Sequence, residues 1–129
     1  MEDTFKNIQS VSDKLSKLFA ENEALKLAIN TSHEGIAVLD KDGIYTYLNK
    51  AHEEMFKYNV GEMLGKSWTI LYTEKQVKHF IDVVFPIIAK DGKWSGCDVA
   101  TCKDGSLQAE KVYLTSLPDG GLVCLCLKS

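Results

Sequence analysis

Four Asp-Gly dipeptides divide the chain after residue 31 into short segments. They lie at 42–43, 91–92, 104–105 and 119–120. Asp-Gly favours tight turns, because glycine adopts positive φ at no steric cost and the aspartate side chain bonds to nearby backbone groups. The short apolar runs that flank these turns are therefore predicted to be strands joined as hairpins.

The apolar runs predict two hairpins and a fifth strand. The five predicted strands are 35–39, 44–48, 94–102, 107–117 and 121–127. No helix separates the last three, so they should form an antiparallel meander. Residues 122–127 are apolar without alternation, which is typical of a strand buried on both faces. We expect the end of the N-terminal helix to cover the outer face of the sheet.

Residues 1–30 contain no glycine and no proline, which predicts one long helix that forms a unit separate from the domain at 31–129. Its seam has heptad spacing and ends near Ile29. The predicted interface residues are Ile8, Val11, Leu15, Leu18, Asn22 and Leu25. This pattern predicts a parallel homodimer through a coiled coil, with Asn22 fixing the register and Glu21 opposite Lys26 of the second copy. The alternative is an amphipathic helix that packs only on its own domain.

The segment between the hairpins is predicted to be helical. Asn49 can cap a short helix that carries Ala51, Met55 and Tyr58. Thr73 and Gln76 match a capping box that starts a second helix. Its predicted inner face is Val77, Phe80, Ile81, Val84 and Ile88, and Pro86 is expected to kink it or end it early. The order of helices and strands predicts an α+β domain on one antiparallel sheet.

Composition excludes several functional classes. The chain has 129 residues and a net charge of -3, so it lacks the basic excess that nucleic acid requires as a partner. No apolar run approaches the roughly 20 residues of a membrane segment, and the acidic N-terminus lacks a signal sequence. We therefore expect a cytoplasmic protein.

The four cysteines are interpreted as small buried thiols in a reducing compartment. They are Cys97, Cys102, Cys124 and Cys126. The alternative is a metal chelate by Cys124 and Cys126, which share one face of a strand. The spacings fit no zinc motif, so no metal site is predicted.

Five short motifs, taken in order, resemble a PAS domain over about Leu25 to Leu127. They are 35–43, 48–51, 65–68, 92–96 and 103–106. The resemblance implies a PAS-like five-stranded antiparallel sheet with helices on one face, to which the N-terminal amphipathic helix is added. It also implies a sensory or dimerising input to a histidine kinase or nucleotide cyclase. No kinase, cyclase or DNA-binding signature is visible, so the effector domain is expected outside this chain.

Some members of the family hold a small ligand, flavin or haem between sheet and helices, so a haem- or flavin-binding redox or gas sensor is the alternative function. In the light-sensing flavin members a reactive cysteine follows the segment at Gly65, where this chain has Trp68. Haem-binding members place a histidine on the central helix. His79 lies on that helix, but opposite its apolar face. The missing cysteine leaves non-covalent flavin open, so the cofactor is not fixed by the sequence; we expect none ahead of haem or flavin.

A small-molecule cavity, if present, is predicted to use the residues of the helical segment that face the sheet. The candidates are His52, Met55, Tyr58, Trp68, Phe80 and Val84. A filled hydrophobic core explains the same residues without a ligand. No nucleophile motif, metalloprotease helix or carboxylate pair is visible, so we predict neither catalytic residues nor enzyme activity.

Overall fold

The computed structural model describes residues 2–129, apart from the side chains of Glu2, Asp3, Phe5 and Phe19. The chain divides into two compact units, one that ends at Thr31 and one that comprises Ser32–Ser129. None of the helices in the described part of the chain is both long enough and apolar enough to cross a membrane.

The first unit is a single helix, α1 (Glu2–Thr31), as the absence of glycine and proline predicts. Its surface carries ion pairs within the helix, Lys17 with Glu21 and Lys26 with Glu23. At its end the hydroxyl of Thr31 donates to the carbonyl of Leu27 at 3.0 Å.

The second unit contains a five-stranded antiparallel sheet. Its strands are β1 (Gly35–Leu39), β2 (Tyr45–Leu48), β3 (Lys93–Thr101), β4 (Leu107–Ser116) and β5 (Leu122–Lys128). The strand order is β2-β1-β5-β4-β3, so the last three strands form the predicted meander. β5 is central and pairs with β1 through Leu39 and Leu122 and with β4 through Leu114 and Cys124. The predicted fold class is confirmed.

A short helix, α2 (Lys50–Met55), packs on β1 because two residues allow close approach. Gly35 has no side chain, and a Cβ there would lie 3.1 Å from the Cα of His52. Asn49 is fully buried, and its Oδ1 accepts from the N–H groups of Ile36 at 2.8 Å and His52 at 3.0 Å. The helix ends before Tyr58, which the sequence had suggested it would carry, because Lys57 adopts a positive φ of 63°.

A second helical segment, the central helix, runs without a break through residues 74–91. It consists of α3 (Glu74–His79), a π-helical turn (Phe80–Val84) and α4 (Phe85–Asp91). Thr73 and Gln76 form the predicted capping box. Pro86 neither ends nor sharply interrupts the helix. Pro86 has no N–H, and the backbone N–H of Phe85 instead reaches back five residues to the carbonyl of Phe80.

The π turn changes which side chains of the central helix are buried. Phe80, Val84 and Ile88 face the core, whereas Ile81 is 52% exposed, so its predicted place on the inner face is wrong. The wider turn underwinds the helix, which moves the buried stripe toward Phe80 and away from Ile81. The cysteine interpretation also needs one correction, because Cys97 is exposed while the other three thiols are buried.

We predict that Asn49→Ala lowers the free energy of unfolding by about 2–4 kcal/mol, since it removes a helix cap and strands buried backbone N–H groups. Urea denaturation measures the change. Asn59→Ala is the matched control, because Asn59 is exposed and its side chain is not part of this network. Equal stability of the two variants would contradict the role assigned to Asn49.

Candidate functional site

The indole of Trp68 lies at the centre of an aromatic cluster between the central helix and the sheet. Its ring centroid is 5.9 Å from that of Tyr72, 5.4 Å from that of Phe80 and 5.3 Å from that of Phe85. Phe80 in turn contacts Trp94 of β3 at 5.9 Å. The cluster therefore links the central helix to the edge of the sheet.

The position of Trp68 is fixed by the turn between β1 and β2. Its backbone N–H donates to the carbonyl of Gly43 at 3.0 Å, and Ser67 caps the 3₁₀ helix (Trp68–Leu71) that Trp68 begins. Gly43 has a φ of 78°, and a Cβ there would lie only 2.7 Å from Cδ1 of the indole. Glycine is thus required both by the turn and by the close contact with the ring.

The aromatic cluster almost fills the interior. A residual cavity of about 30 Å³ remains, lined by aromatic rings together with aliphatic and thiol side chains. The rings are those of Tyr45, Trp68, Tyr72, Phe80 and Phe85. This volume holds about one water molecule, whereas pockets for organic cofactors are roughly 300–1,000 Å³.

The residues of the interior do not fit haem or flavin. Besides the small volume, His79 is exposed on the central helix and is not directed into the interior as a haem ligand would be. Trp68 occupies the position at which a flavin-reactive cysteine would be required, and its ring takes up the space beside Phe80 and Phe85.

A buried carboxyl group lies beside the aromatic cluster. Glu110 of β4 is fully buried, and its Oε1 accepts a hydrogen bond from the hydroxyl of Tyr72. Its Oε2 has no partner among the described residues. Burial raises the pKa of Glu110 from 4.5 to about 7, while the Tyr72 bond lowers it and the charge of Asp98 raises it. Sequence analysis missed this group; a charged side chain at an inward position of β4 was the available signal.

Asp98 is held near Glu110 by a link to the central helix. It is the cross-strand partner of Glu110, and its Oδ1 accepts from Nε2 of Gln76 at 2.9 Å. The same Gln76 amide donates to the carbonyl of Val99 at 2.8 Å. The start of the central helix is therefore tied to β3.

Of the six pocket candidates from the sequence, the structure brings two to the residual cavity. Trp68 and Phe80 line it. Val84 and Met55 are buried in the core without lining it, and Tyr58 is partly buried in the loop after α2. His52 is also buried away from the cavity, between the rings of Tyr45 at 5.7 Å and Phe56 at 4.8 Å.

The imidazole of His52 is neutral at physiological pH. Burial lowers its pKa from 6.5 to about 4. Its Nδ1 is buried and has no hydrogen-bond partner among the described residues. His52 therefore packs as an aromatic side chain.

The two thiols considered above as a metal chelate are both buried in β5. Burial raises the pKa of the Cys124 thiol to about 12 and also raises that of Cys126. The residues that the structure describes contain no group of three or more His, Cys, Asp or Glu side chains that could hold a metal ion.

A larger cleft of about 800 Å³ lies at one end of the sheet. Sequence analysis did not predict it, although three of the four Asp-Gly turns meet there. The cleft is lined by Asp42 and Gly43 of one turn, Asp91 and Gly92 of a second, and Gly120 of a third. Leu39, Trp68, Phe85 and Leu122 line both the cleft and the residual cavity, so these side chains separate the two.

The sequence model of the PAS fold matches residues 23–112. The chain belongs to the PAS family. The resemblance found in the motifs is thereby confirmed, and the five-stranded sheet with its covering helices is the fold that this family implies.

Known proteins similar to this PAS domain include an enzyme and two solved domains. The mouse high affinity cAMP-specific and IBMX-insensitive 3',5'-cyclic phosphodiesterase 8A is 25% identical over 97 residues, which is 74% of this chain but only 12% of that relative. A PAS domain from Colwellia psychrerythraea is 19% identical, with a TM-score of 0.77 over 83% of this chain and 95% of that one. A PAS domain of a two-component sensor histidine kinase is 17% identical, with a TM-score of 0.73 over 88% of this chain and 99% of that one.

We predict that Glu110 and His52 oppose each other in the pH dependence of stability. The folded pKa of Glu110 is raised, so its contribution is present below pH 4.5 and lost as pH rises through about 7. The folded pKa of His52 is lowered, so its contribution is present above pH 6.5 and lost as pH falls through about 4. Wild-type stability should therefore change little between these limits.

Glu110→Gln should remove the contribution of Glu110 to the pH dependence of stability and leave that of His52. Relative to the wild type, the variant should gain stability as pH rises from 4.5 to 7, by up to about 3 kcal/mol. Urea denaturation across this range measures the difference, and Glu54→Gln on the surface of α2 is the control. A difference between wild type and Glu110→Gln that does not vary with pH would show that Glu110 titrates normally.

Proposed function

We propose that this PAS domain is a sensory input and dimerisation module of a cytoplasmic signalling protein, without enzyme activity of its own. The observation that carries the proposal is the combination of the PAS fold with an exposed heptad seam on α1. A histidine kinase is the favoured effector, because a solved PAS domain with a similar fold comes from a two-component sensor histidine kinase. The four free thiols are compatible with a reducing compartment.

The apolar seam of α1 supports the homodimer. Its side chains are between 56% and 64% exposed in the single chain, namely Ile8, Val11, Leu15, Leu18 and Leu25. Full burial of a leucine contributes roughly 1.5–3 kcal/mol, so pairing two helices along the seam is strongly favourable. A second copy of this chain presents the same seam at the same spacing, which is the match that a coiled coil needs.

Polar residues along the seam support a parallel arrangement. Asn22 occupies a core position, where two asparagines pair only when the helices are parallel and in register. In that register Glu21 lies near Lys26 of the second copy, a pair of opposite charge. Coverage of the outer face of the sheet by the end of α1 stays a prediction.

The pairing of α1 gives a route by which the sensory domain can act on an effector. A two-stranded coiled coil transmits a change in crossing or rotation along its length, because its core positions interlock. α1 is 30 residues long, or about 45 Å at 1.5 Å per residue.

We predict that Leu15→Asp combined with Leu18→Asp converts a dimer to a monomer, because four carboxylates would then face one another in the seam. Sedimentation equilibrium measures the mass. Ser16→Asp with Ala20→Asp is the control, since it adds the same charge outside the seam and should leave the dimer intact. A wild-type protein that is monomeric at high concentration, or a Leu15/Leu18 variant that remains dimeric, would contradict the proposal.

A further inference from the structure

The floor of the cleft at the end of the sheet is apolar and aromatic. Trp68, Phe85, Ile88 and Leu122 all contribute to it. The rings of Trp68 and Phe85 meet at an interplanar angle of 71° with centroids 5.3 Å apart, so they form a corner with two aromatic walls. Aromatic ring faces attract organic cations as well as apolar groups.

The side chains that line the cleft carry a net charge of one negative unit. They include the carboxylates of Asp40, Asp42 and Asp91 and the ammonium groups of Lys41 and Lys90. None of these five side chains takes part in an ion pair found among the described residues, so neither lysine is bound to one of the three carboxylates.

The central helix adds to the negative character, because its carboxyl end lies at the cleft. α4 ends at Gly92, which adopts the left-handed conformation and closes the helix with a bond from its N–H to the carbonyl of Ile88 at 2.7 Å. The remaining carbonyls at a helix carboxyl end carry partial negative charge. Together with the net charge of one negative unit on the lining side chains, they favour a cation over an anion.

We propose that the cleft binds a small organic amine, whose flat apolar body lies against Trp68 and Phe85 and whose ammonium group lies among Asp42, Asp91 and the end of the central helix. The cleft volume of about 800 Å³ is within the range of small-molecule sites. This inference deepens the proposed sensory function and rests on it only for its biological role. Binding itself depends on the cleft alone.

The position of Trp68 connects this site to the rest of the domain. The indole forms part of the cleft floor and also contacts Phe80, which contacts Trp94 of β3. A ligand that displaces the indole therefore changes the packing between the central helix and the sheet.

Fluorescence titration of a Trp94→Phe variant tests the site. The chain has two tryptophans, so the variant reports on Trp68 alone. The probes are 2-phenylethylamine, 2-phenylethanol and 3-phenylpropionate, which share a phenyl group and differ in charge. We expect a saturable change with the amine, and weaker binding of the alcohol and the carboxylate. Equal binding of all three would show a merely apolar cleft, and preference for the carboxylate or no saturable change would overturn the inference.

Charge-neutralising variants test whether the carboxylates of the cleft contribute to amine binding. Asp42→Asn with Asp91→Asn, in the same background, should weaken amine binding at least about fivefold. Asp40 is left unchanged, because its Oδ1 accepts from the N–H groups of Asp42 and Ile44 and shapes the turn. Glu54→Gln is the control and should not alter binding. Unchanged affinity for the amine in the Asp42/Asp91 variant would show that these carboxylates do not contribute to binding.

Two further measurements on the same variants distinguish a failure of the cleft assignment from a failure of the proposed dimer. Circular dichroism establishes that each variant is folded, and sedimentation measures its oligomeric state. A dimer that fails to bind amine overturns the cleft assignment alone. A monomer that binds amine contradicts the dimerisation module and leaves the cleft assignment standing.

Discussion

The contact between the indole of Trp68 and the backbone of Gly43 determines which side chains fill the interior of the domain. Without a Cβ at residue 43 the ring packs directly on the turn between β1 and β2. From there it meets Tyr72, Phe80 and Phe85, and these rings leave about 30 Å³ unfilled. The space between the central helix and the sheet is occupied by side chains, and the cleft on the other side of Trp68 is the larger opening.

Two buried polar side chains, Asn49 and Glu110, connect the helices and strands that surround the aromatic cluster. The side chain of Asn49 joins β1 to the start of α2, since it accepts from the N–H groups of Ile36 and His52 and donates to the carbonyl of Glu34 at 2.9 Å. Glu110 joins β4 to Tyr72 at the end of the 3₁₀ helix. Buried polar groups are costly unless bonded, so each also specifies one arrangement of its elements. Burial of the Glu110 carboxyl away from water is the largest cause of its raised pKa of about 7.

Local signals predicted most of the fold. The Asp-Gly turns fixed the ends of the strands to within a residue or two, and the capping box at Thr73 placed the start of the central helix. The π turn could not be predicted, because a proline inside an apolar helical pattern indicates a kink or an end more often than a wider turn. The exposure of Ile81 follows from that turn.

The candidate site was less predictable than the fold. Trp68 and Phe80 were predicted as cavity candidates from helix-wheel geometry and from their positions between the two hairpins. The cleft is assembled from the turns at 42–43 and 119–121 and from the carboxyl end of the central helix at 91–92, which are far apart in the sequence. Glu110 was not predicted as a site residue, although it alternates with Val112 and Leu114 on the inward face of β4.

The absorption spectrum of the protein purified from its own cells shows whether Trp68 and its neighbours fill the interior. We expect only the ultraviolet absorption of tryptophan and tyrosine. A flavin or haem band that persists through gel filtration and is lost on unfolding would contradict this expectation, because neither group fits beside the aromatic cluster.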